Sequence, residues 1–183
     1  MRRPGRNRSG QAYSLTVLTV VRRGEVNALA QRLAALPTGA ASPLARVPGT
    51  HFARWVIVDD VVYEGPPQRR DHLKAARLLF TSNFDGPLED YLDRMCAELG
   101  NDADDIWGAC AGYPGSHDPA AWVAWLTIHQ IDSALFFAAY GDQTVGRVQT
   151  NLERRARLMQ FVLDNRGAPP AELQARFNQA FPR

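Results

Sequence analysis

The spacing of apolar and polar residues predicts three β-strands in the first half of the chain. Residues 13–21 are rich in β-branched and aromatic side chains and contain neither Gly nor Pro, which is typical of a strand. Residues 51–62 and 76–81 have the same character and predict the second and third strands. The connection at 63–72 is polar and contains two prolines, so we expect the last two strands to form a hairpin with a long loop.

Apolar positions three and four residues apart predict helices between and after these strands. The first covers 24–36, and the second covers 87–99, where Pro87 suits the first turn and Gly100 ends the pattern. The short segment 105–113 follows and supplies a predicted fourth strand. The resulting order is β-α-β-β-α-β.

That order is typical of the ferredoxin-like α+β fold, an antiparallel sheet with helices on one face. The other face then needs a partner, because residues 51–62 are apolar on both sides, which is typical of a strand covered on both faces. The partner is either the C-terminal third of this chain or a second copy of it. We therefore predict a homodimer that encloses a cavity between two sheets.

The C-terminal third is predicted to be helical. One helix begins at Asp118, a suitable N-cap, a longer one runs from 145 to about 165, and a short one covers 171–181. These additional helices fit a single domain over residues 12–183 with a helical extension.

The net charge of +2 comes from the N-terminus. Residues 1–11 contain Arg2, Arg3, Arg6 and Arg8 and no acid, which leaves 17 of the 21 basic residues against 19 acidic ones. We therefore predict that residues 1–11 form a disordered basic tail that folding does not require. The body lacks the basic patch of a nucleic-acid interface.

Other features of the sequence point to a cytoplasmic, reduced protein outside the familiar hydrolase and nucleotide-enzyme classes. No segment has the roughly 18 consecutive apolar residues of a membrane span, and the N-terminus lacks the apolar stretch of a signal peptide. Cys96 and Cys110 are too few for a disulfide framework and lack zinc spacing. Phosphate-binding loops and the familiar hydrolase motifs are also missing from the sequence.

Three polar residues near the apolar strands are candidates for catalysis: His51, Arg54 and Asp85. A buried Arg needs a counter-charge, so Arg54 either pairs with Asp85 at the sheet edge or binds an anion or oxyanion. His51 and Arg54 point to opposite faces of a regular strand, and only a bulge or a strand start would bring both into one cavity. Asp85 either caps the helix that follows or acts as an acid or base at the mouth of a pocket.

His129 lies in a predicted helix rich in Trp. It is either a hydrogen-bonded core histidine or the axial ligand of a non-covalent haem. In the second case Trp125 and Asn83 are the further cofactor contacts. We predict that His51, Arg54, Asp85 and His129 line one cavity.

Three segments carry a resemblance to a known family: 51–59 (HFARWVIVD), 78–86 (LLFTSNFDG) and 106–114 (IWGACAGYP). Together they resemble uncharacterised bacterial proteins of the dimeric α+β barrel superfamily, over roughly residues 13–140. That superfamily includes dye-decolourising peroxidases, chlorite-dismutase-like haem proteins, and cofactor-free monooxygenases and cyclases. Residues 82–86 are similar to the peroxidase GxxDG motif, with Ser82 in place of the first Gly.

Two functions follow from the residues and the resemblance. The first is a peroxidase- or monooxygenase-like oxidoreductase in which His129 binds haem, Arg54 stabilises a bound oxygen species, and Asp85 or His51 moves a proton. The second is a cofactor-free α+β barrel enzyme, or a binding protein, for a small hydrophobic or aromatic metabolite.

Overall fold

A computed structural model describes residues 6–182 of the chain. The chain divides into two compact units, Met1–Val145 and Gly146–Arg183. This division does not test the prediction of a single domain over residues 12–183, because a compact unit need not fold independently. The single domain therefore stays a prediction.

The first unit is built on an antiparallel sheet of four strands in the order β1-β2-β4-β3. The predicted α+β class with an antiparallel sheet is therefore confirmed. The third predicted strand is longer than the sequence indicated and continues to Asp85. The strands are β1 (Arg8–Ser9), β2 (Ala12–Val20), β3 (Thr50–Val58) and β4 (Arg77–Asp85).

The described part of the chain contains six α-helices. Asp118 is the N-cap of α4, as predicted, and its side chain accepts a hydrogen bond from the Ala121 amide at 3.0 Å. Two short 3-10 turns, Gly39–Ala41 and Pro43–Arg46, lie in the connection before β3. The helices are α1 (Val26–Ala35), α2 (Leu88–Leu99), α3 (Asn101–Trp107), α4 (Pro119–Ile128), α5 (Val145–Asp164) and α6 (Pro170–Ala180).

The predicted fourth strand over 105–113 is wrong. Residues Asn101–Trp107 form α3, where acidic residues in the first turn favour a helix. The edge of β2 is instead paired in three short pieces: with β1, through a bridge from Val17 to Gln130, and through a bridge from Val21 to Cys110. Without a regular fourth strand, the ferredoxin-like βαββαβ order is not confirmed. The three short pieces nevertheless cover the edge of β2.

The predicted disordered tail is also wrong for residues 6–11; residues 1–5 lie outside the described part. Arg8 and Ser9 pair with Tyr13 and Ala12, and Asn7 is buried at 8% exposure. Charge alone suggested disorder here, but the backbone of this segment completes the sheet.

The core lies between one face of the sheet and helices α1–α4. Trp107 of α3 is at its centre and makes edge contacts with Trp55, Phe80 and Trp122 at centroid distances of 5.7, 5.3 and 5.8 Å. Such aromatic contacts add to the free energy gained by burying the rings. Fully buried large side chains from all of these elements include Leu15, Leu29, Leu78, Phe80, Phe84, Tyr91, Leu92, Ile106, Trp107, Trp122 and Leu126.

A network of hydrogen bonds fixes the position of the connection between α3 and α4. The Asp104 carboxylate accepts hydrogen bonds from the Tyr113 hydroxyl at 2.8 Å, the Ser116 amide at 2.7 Å and the Ser116 hydroxyl at 2.8 Å. Trp122 Nε1 donates to the Tyr113 hydroxyl at 3.1 Å. Burial opposes ionisation of Asp104, but the hydrogen bonds from Ser116 and Tyr113 outweigh it and lower the pKa of the carboxyl.

The second unit contains α6 and nearly all of α5. The rings of Phe161, Phe177 and Phe181 cluster at centroid distances of 4.9–5.7 Å. Neither helix contains a buried residue. Within residues 6–182, no helix is both long and apolar enough to cross a membrane.

Candidate functional site

The sheet face opposite the core is polar at one end and apolar at the other. On this open face, cross-strand pairing aligns Thr16, Thr81 and Arg54 in one row, and Leu18, Leu79 and Val56 in another. The sequence predicted an apolar face here. The polar end arises because β2 and β4 place hydroxyl and amide side chains beside β3. The alternation of residues within one strand does not show which residues of neighbouring strands will lie side by side.

A groove of about 620 Å³ runs over the polar end of the open face. One of its residues, Phe136, comes from the segment that follows α4. The other lining residues are Ser14, Thr16, Phe52, Ala53, Arg54, Thr81 and Asn83.

The segment carrying Phe136 is held by the N-terminal residues. Asn7 Oδ1 accepts from the Ser133 amide at 2.7 Å, and Asn7 Nδ2 donates to Asp132 at 3.0 Å. The Gln11 amide donates to the Gly141 carbonyl at 2.6 Å. A side chain at Gly10 would collide with the backbone of Gly141, so this close approach requires glycine. Residues 7–11 thus position one wall of the groove.

His51 and Asp85 form a hydrogen-bonded pair at the polar end of the open face. The pairing register shifts between Thr50 and Phe52, which makes His51 the extra residue of a bulge. Its Nε2 lies 2.8 Å from Asp85 Oδ1, and the two side chains are 21% and 16% exposed. The pair is not among the residues that line the groove; it lies beyond Asn83, next along the same face of β4.

Asp85 has two further contacts that fix its position. Its Oδ2 accepts from the Val145 amide at 2.7 Å, and its own amide donates to the Gly49 carbonyl at 3.0 Å. The prediction that Asp85 caps the helix after β4 is wrong, because Pro87 is the N-cap of α2 and no side chain bonds there. Both carboxylate oxygens are engaged, so the carboxylate holds the His51 ring in one orientation.

The predicted Arg54–Asp85 ion pair does not form. Arg54 is exposed and not buried as the sequence suggested, and its Nε donates to Thr81 Oγ1 at 3.2 Å. Within residues 6–182, no carboxylate lies within 4 Å of the guanidinium. Asp85 pairs with His51 instead.

His129 and Trp125 lie together, but apart from the groove. His129 ends α4, its Nδ1–H donates to the Trp125 carbonyl at 2.7 Å, and the two rings are 4.7 Å apart. Trp125 belongs to the core at 8% exposure. Neither residue lines the groove that contains Arg54 and Asn83.

The three residues predicted to contact haem do not line one groove among the described residues, and haem binding stays a prediction. His129 and Trp125 are at the end of α4, whereas Asn83 is on the open face. The described residues also contain no group of three or more His, Cys, Asp or Glu suited to a metal ion.

Comparison with known proteins finds no match: no family model, no curated protein and no solved structure is significantly similar to this chain. The resemblance to the dimeric α+β barrel superfamily stays a prediction. Assignment of function rests on the geometry of the site.

Sequence reasoning missed several residues of the site. Thr16, Thr81 and Phe136 line the groove, and Val145 holds Asp85. The two threonines could have been found by aligning the strands in register, since they face each other across β2 and β4. Phe136 lies in a segment without regular structure, whose sequence has no periodicity that would place it. Val145 is the first residue of α5 and holds Asp85 through its backbone amide, a group that almost any residue offers.

Proposed function

We propose that the open face binds a small organic molecule and that His51 and Asp85 transfer a proton to or from it, without a cofactor. The observation that carries this proposal is the 2.8 Å contact between His51 Nε2 and Asp85 Oδ1 beside the Arg54 groove. A paired histidine and carboxylate beside a solvent-accessible groove is an arrangement suited to general acid–base catalysis.

The expected step is a proton transfer that leaves no redox change. Neutral His51 donates its Nε2–H to Asp85, which leaves Nδ1 as the basic nitrogen. Nδ1 takes a proton from a C–H or O–H of the ligand, and the Asp85 carboxylate stabilises the imidazolium that forms. The negative charge left on the ligand is delocalised onto its carbonyl oxygen, and the proton returns to the ligand or passes to water.

Hydrogen exchange in D₂O tests this step. We expect the protein to speed deuterium incorporation next to the carbonyl of small ketones, with acetophenone as the probe. His51→Ala and Asp85→Asn should each lower the rate by about 10²–10⁴-fold, the usual contribution of a general base. Proton NMR of the probe measures the rate.

The chain supplies a matched control. His72 Nδ1 and Asp60 Oδ2 form a second pair at 2.6 Å in the exposed loop before β4. His72→Ala and Asp60→Asn should leave exchange unchanged. If the wild type is no faster than the double variant His51→Ala/Asp85→Asn, the proposed proton transfer is wrong.

The proposal includes a homodimer of the ferredoxin-like, α+β barrel type, which would enclose the groove between two sheets. Phe52 and Val56 support it, since they are 76% and 40% exposed on the open face, and exposed apolar patches commonly mark interfaces.

The proposal also includes the cytoplasmic location. Cys96 and Cys110 support it, because both are free and buried, and free thiols are usual in a reducing compartment.

Sedimentation tests the dimer. We expect a dimer at micromolar concentration, and Phe52→Asp should convert it to a monomer because a buried, unpaired carboxylate is costly. Val62→Asp is the control, since Val62 is 81% exposed in the loop after β3. A wild type that sediments as a monomer would contradict the dimer and leave the proton-transfer proposal intact.

A further inference from the structure

Arg54 carries a charge that the protein leaves without a counter-ion. Its neighbours on the same face of β3 are Phe52 and Val56, so an apolar residue would continue the pattern. Only Nε is bonded, to Thr81 Oγ1, and within residues 6–182 the two terminal nitrogens have no partner. A guanidinium fixed at Nε presents those nitrogens in a planar fork that matches a carboxylate.

We propose that the groove binds a carboxylate monoanion, whose two oxygens pair with the terminal nitrogens of Arg54. This inference rests on the proposed function only for the location of the site. It assigns the class of ligand, and it holds whether or not His51 and Asp85 carry out the proton transfer.

The composition of the groove favours a single negative charge. Arg54 is the one charged residue among the eight that line it. Ser14, Thr16, Thr81 and Asn83 add neutral hydrogen-bonding groups, which bind oxygen atoms without adding charge. A phosphate dianion would call for a second cation or a cradle of backbone amides, and the lining provides neither.

The rest of the ligand is expected to be an aromatic or similarly flat apolar group. Phe52 and Phe136 both line the groove, and aromatic side chains favour aromatic ligands through stacked or edge contacts. The volume of about 620 Å³ is in the usual range for small-molecule sites. An aromatic carboxylic acid fits these features together.

The position of the proton-transfer pair sets a minimum length for a reactive ligand. Thr81, the anchor of Arg54, and Asp85 are four residues apart on the same face of β4, or about 13 Å at the rise of a strand. A substrate that pairs with Arg54 and reaches His51 therefore has its reacting atom several bonds away from the carboxylate.

Titration with benzoate, followed by NMR of the protein amides, tests the proposal. We expect saturable shifts at Thr81 and Asn83. Arg54→Met should weaken benzoate binding at least ten-fold, and Arg54→Gln serves as a second variant should Arg54→Met fail to fold. Benzamide, the neutral analogue, should bind more weakly than benzoate to the wild type and equally to the wild type and Arg54→Met.

Two controls define the outcomes. Arg23→Met removes an exposed arginine that does not line the groove and should leave benzoate affinity unchanged. Phenyl phosphate should bind no more tightly than benzoate. Equal benzoate affinity in the wild type and both Arg54 variants would overturn the proposal, as would a clear preference for the phosphate.

The test also separates this inference from the proposed function. Asp85→Asn should lower the rate of ketone exchange by about 10²–10⁴-fold but keep benzoate binding. Benzoate binding that depends on Arg54, without any exchange in the wild type, would support the anion site and contradict the proton transfer. Ketone exchange in the wild type without benzoate binding would support the proton transfer and contradict the anion site.

Discussion

A chain shortened to begin at Ala12 is expected to lose about 3–5 kcal/mol of unfolding free energy. The truncation removes the hydrogen bonds of Asn7 to Asp132 and Ser133, the amide of Gln11 on Gly141, and the pairing of β1 with β2. About five such bonds at roughly 1 kcal/mol each give this magnitude. Urea unfolding followed by circular dichroism measures the loss.

Single substitutions locate the effect within the segment. Asn7→Ala should account for about 1–3 kcal/mol, since it removes a buried side chain and leaves the half-buried Ser133 amide without its acceptor. The matched control is Asn27→Ala on the exposed side of α1, which should change the stability by less than about 0.5 kcal/mol. Unchanged stability on truncation would restore the prediction of a dispensable tail.

Replacing Asp104 by Asn should destabilise the protein by about 2–3 kcal/mol at pH 7. Tyr113 and Ser116 now donate to the Asp104 carboxylate, and hydrogen bonds to a charged group are stronger than those to a neutral one. In the variant, the amide NH2 of Asn would face one or more of these donors and could not accept from them. Asp102→Asn is the control, because Asp102 pairs with Arg46 at the surface, where ion pairs contribute little.

The effect of Asp104→Asn should depend on pH in a defined direction. The folded state lowers the pKa of Asp104 below the ordinary value of 3.8. Its ionised form therefore contributes stability above pH 3.8, and that contribution is lost as the pH falls through the lowered pKa. The difference between wild type and variant should be largest near pH 7 and shrink below about pH 4. A difference that stays constant from pH 7 to pH 3 would show that ionisation of Asp104 does not matter.

Periodicity was sufficient for the parts of the fold that bury one face of an element. The helices α1 and α2 and the three long strands were predicted within a few residues of their observed bounds. It failed at residues 105–113, where Ile106 and Trp107 are buried. A short apolar run fits a buried strand or a buried helix equally well.

The candidate site was partly predictable for a related reason. His51, Arg54 and Asp85 stood out as polar residues within apolar strands, and all three lie on the open face or at its end. Their partners depend on register: the bulge at His51 brings it to Asp85, and Arg54 faces Thr81. His129 stood out for its aromatic neighbours, but it bonds to its own helix.

The divided edge of β2 has a consequence for the growing chain. Val17 and Val21 are made early in synthesis, but their partners, Gln130 and Cys110, lie far along the sequence. Until those residues leave the ribosome, part of the edge presents unpaired N–H and C=O groups, to which another unfinished chain could add a strand. The mature protein closes that edge, so aggregation through the edge of β2 is limited to the time before residue 131 is complete.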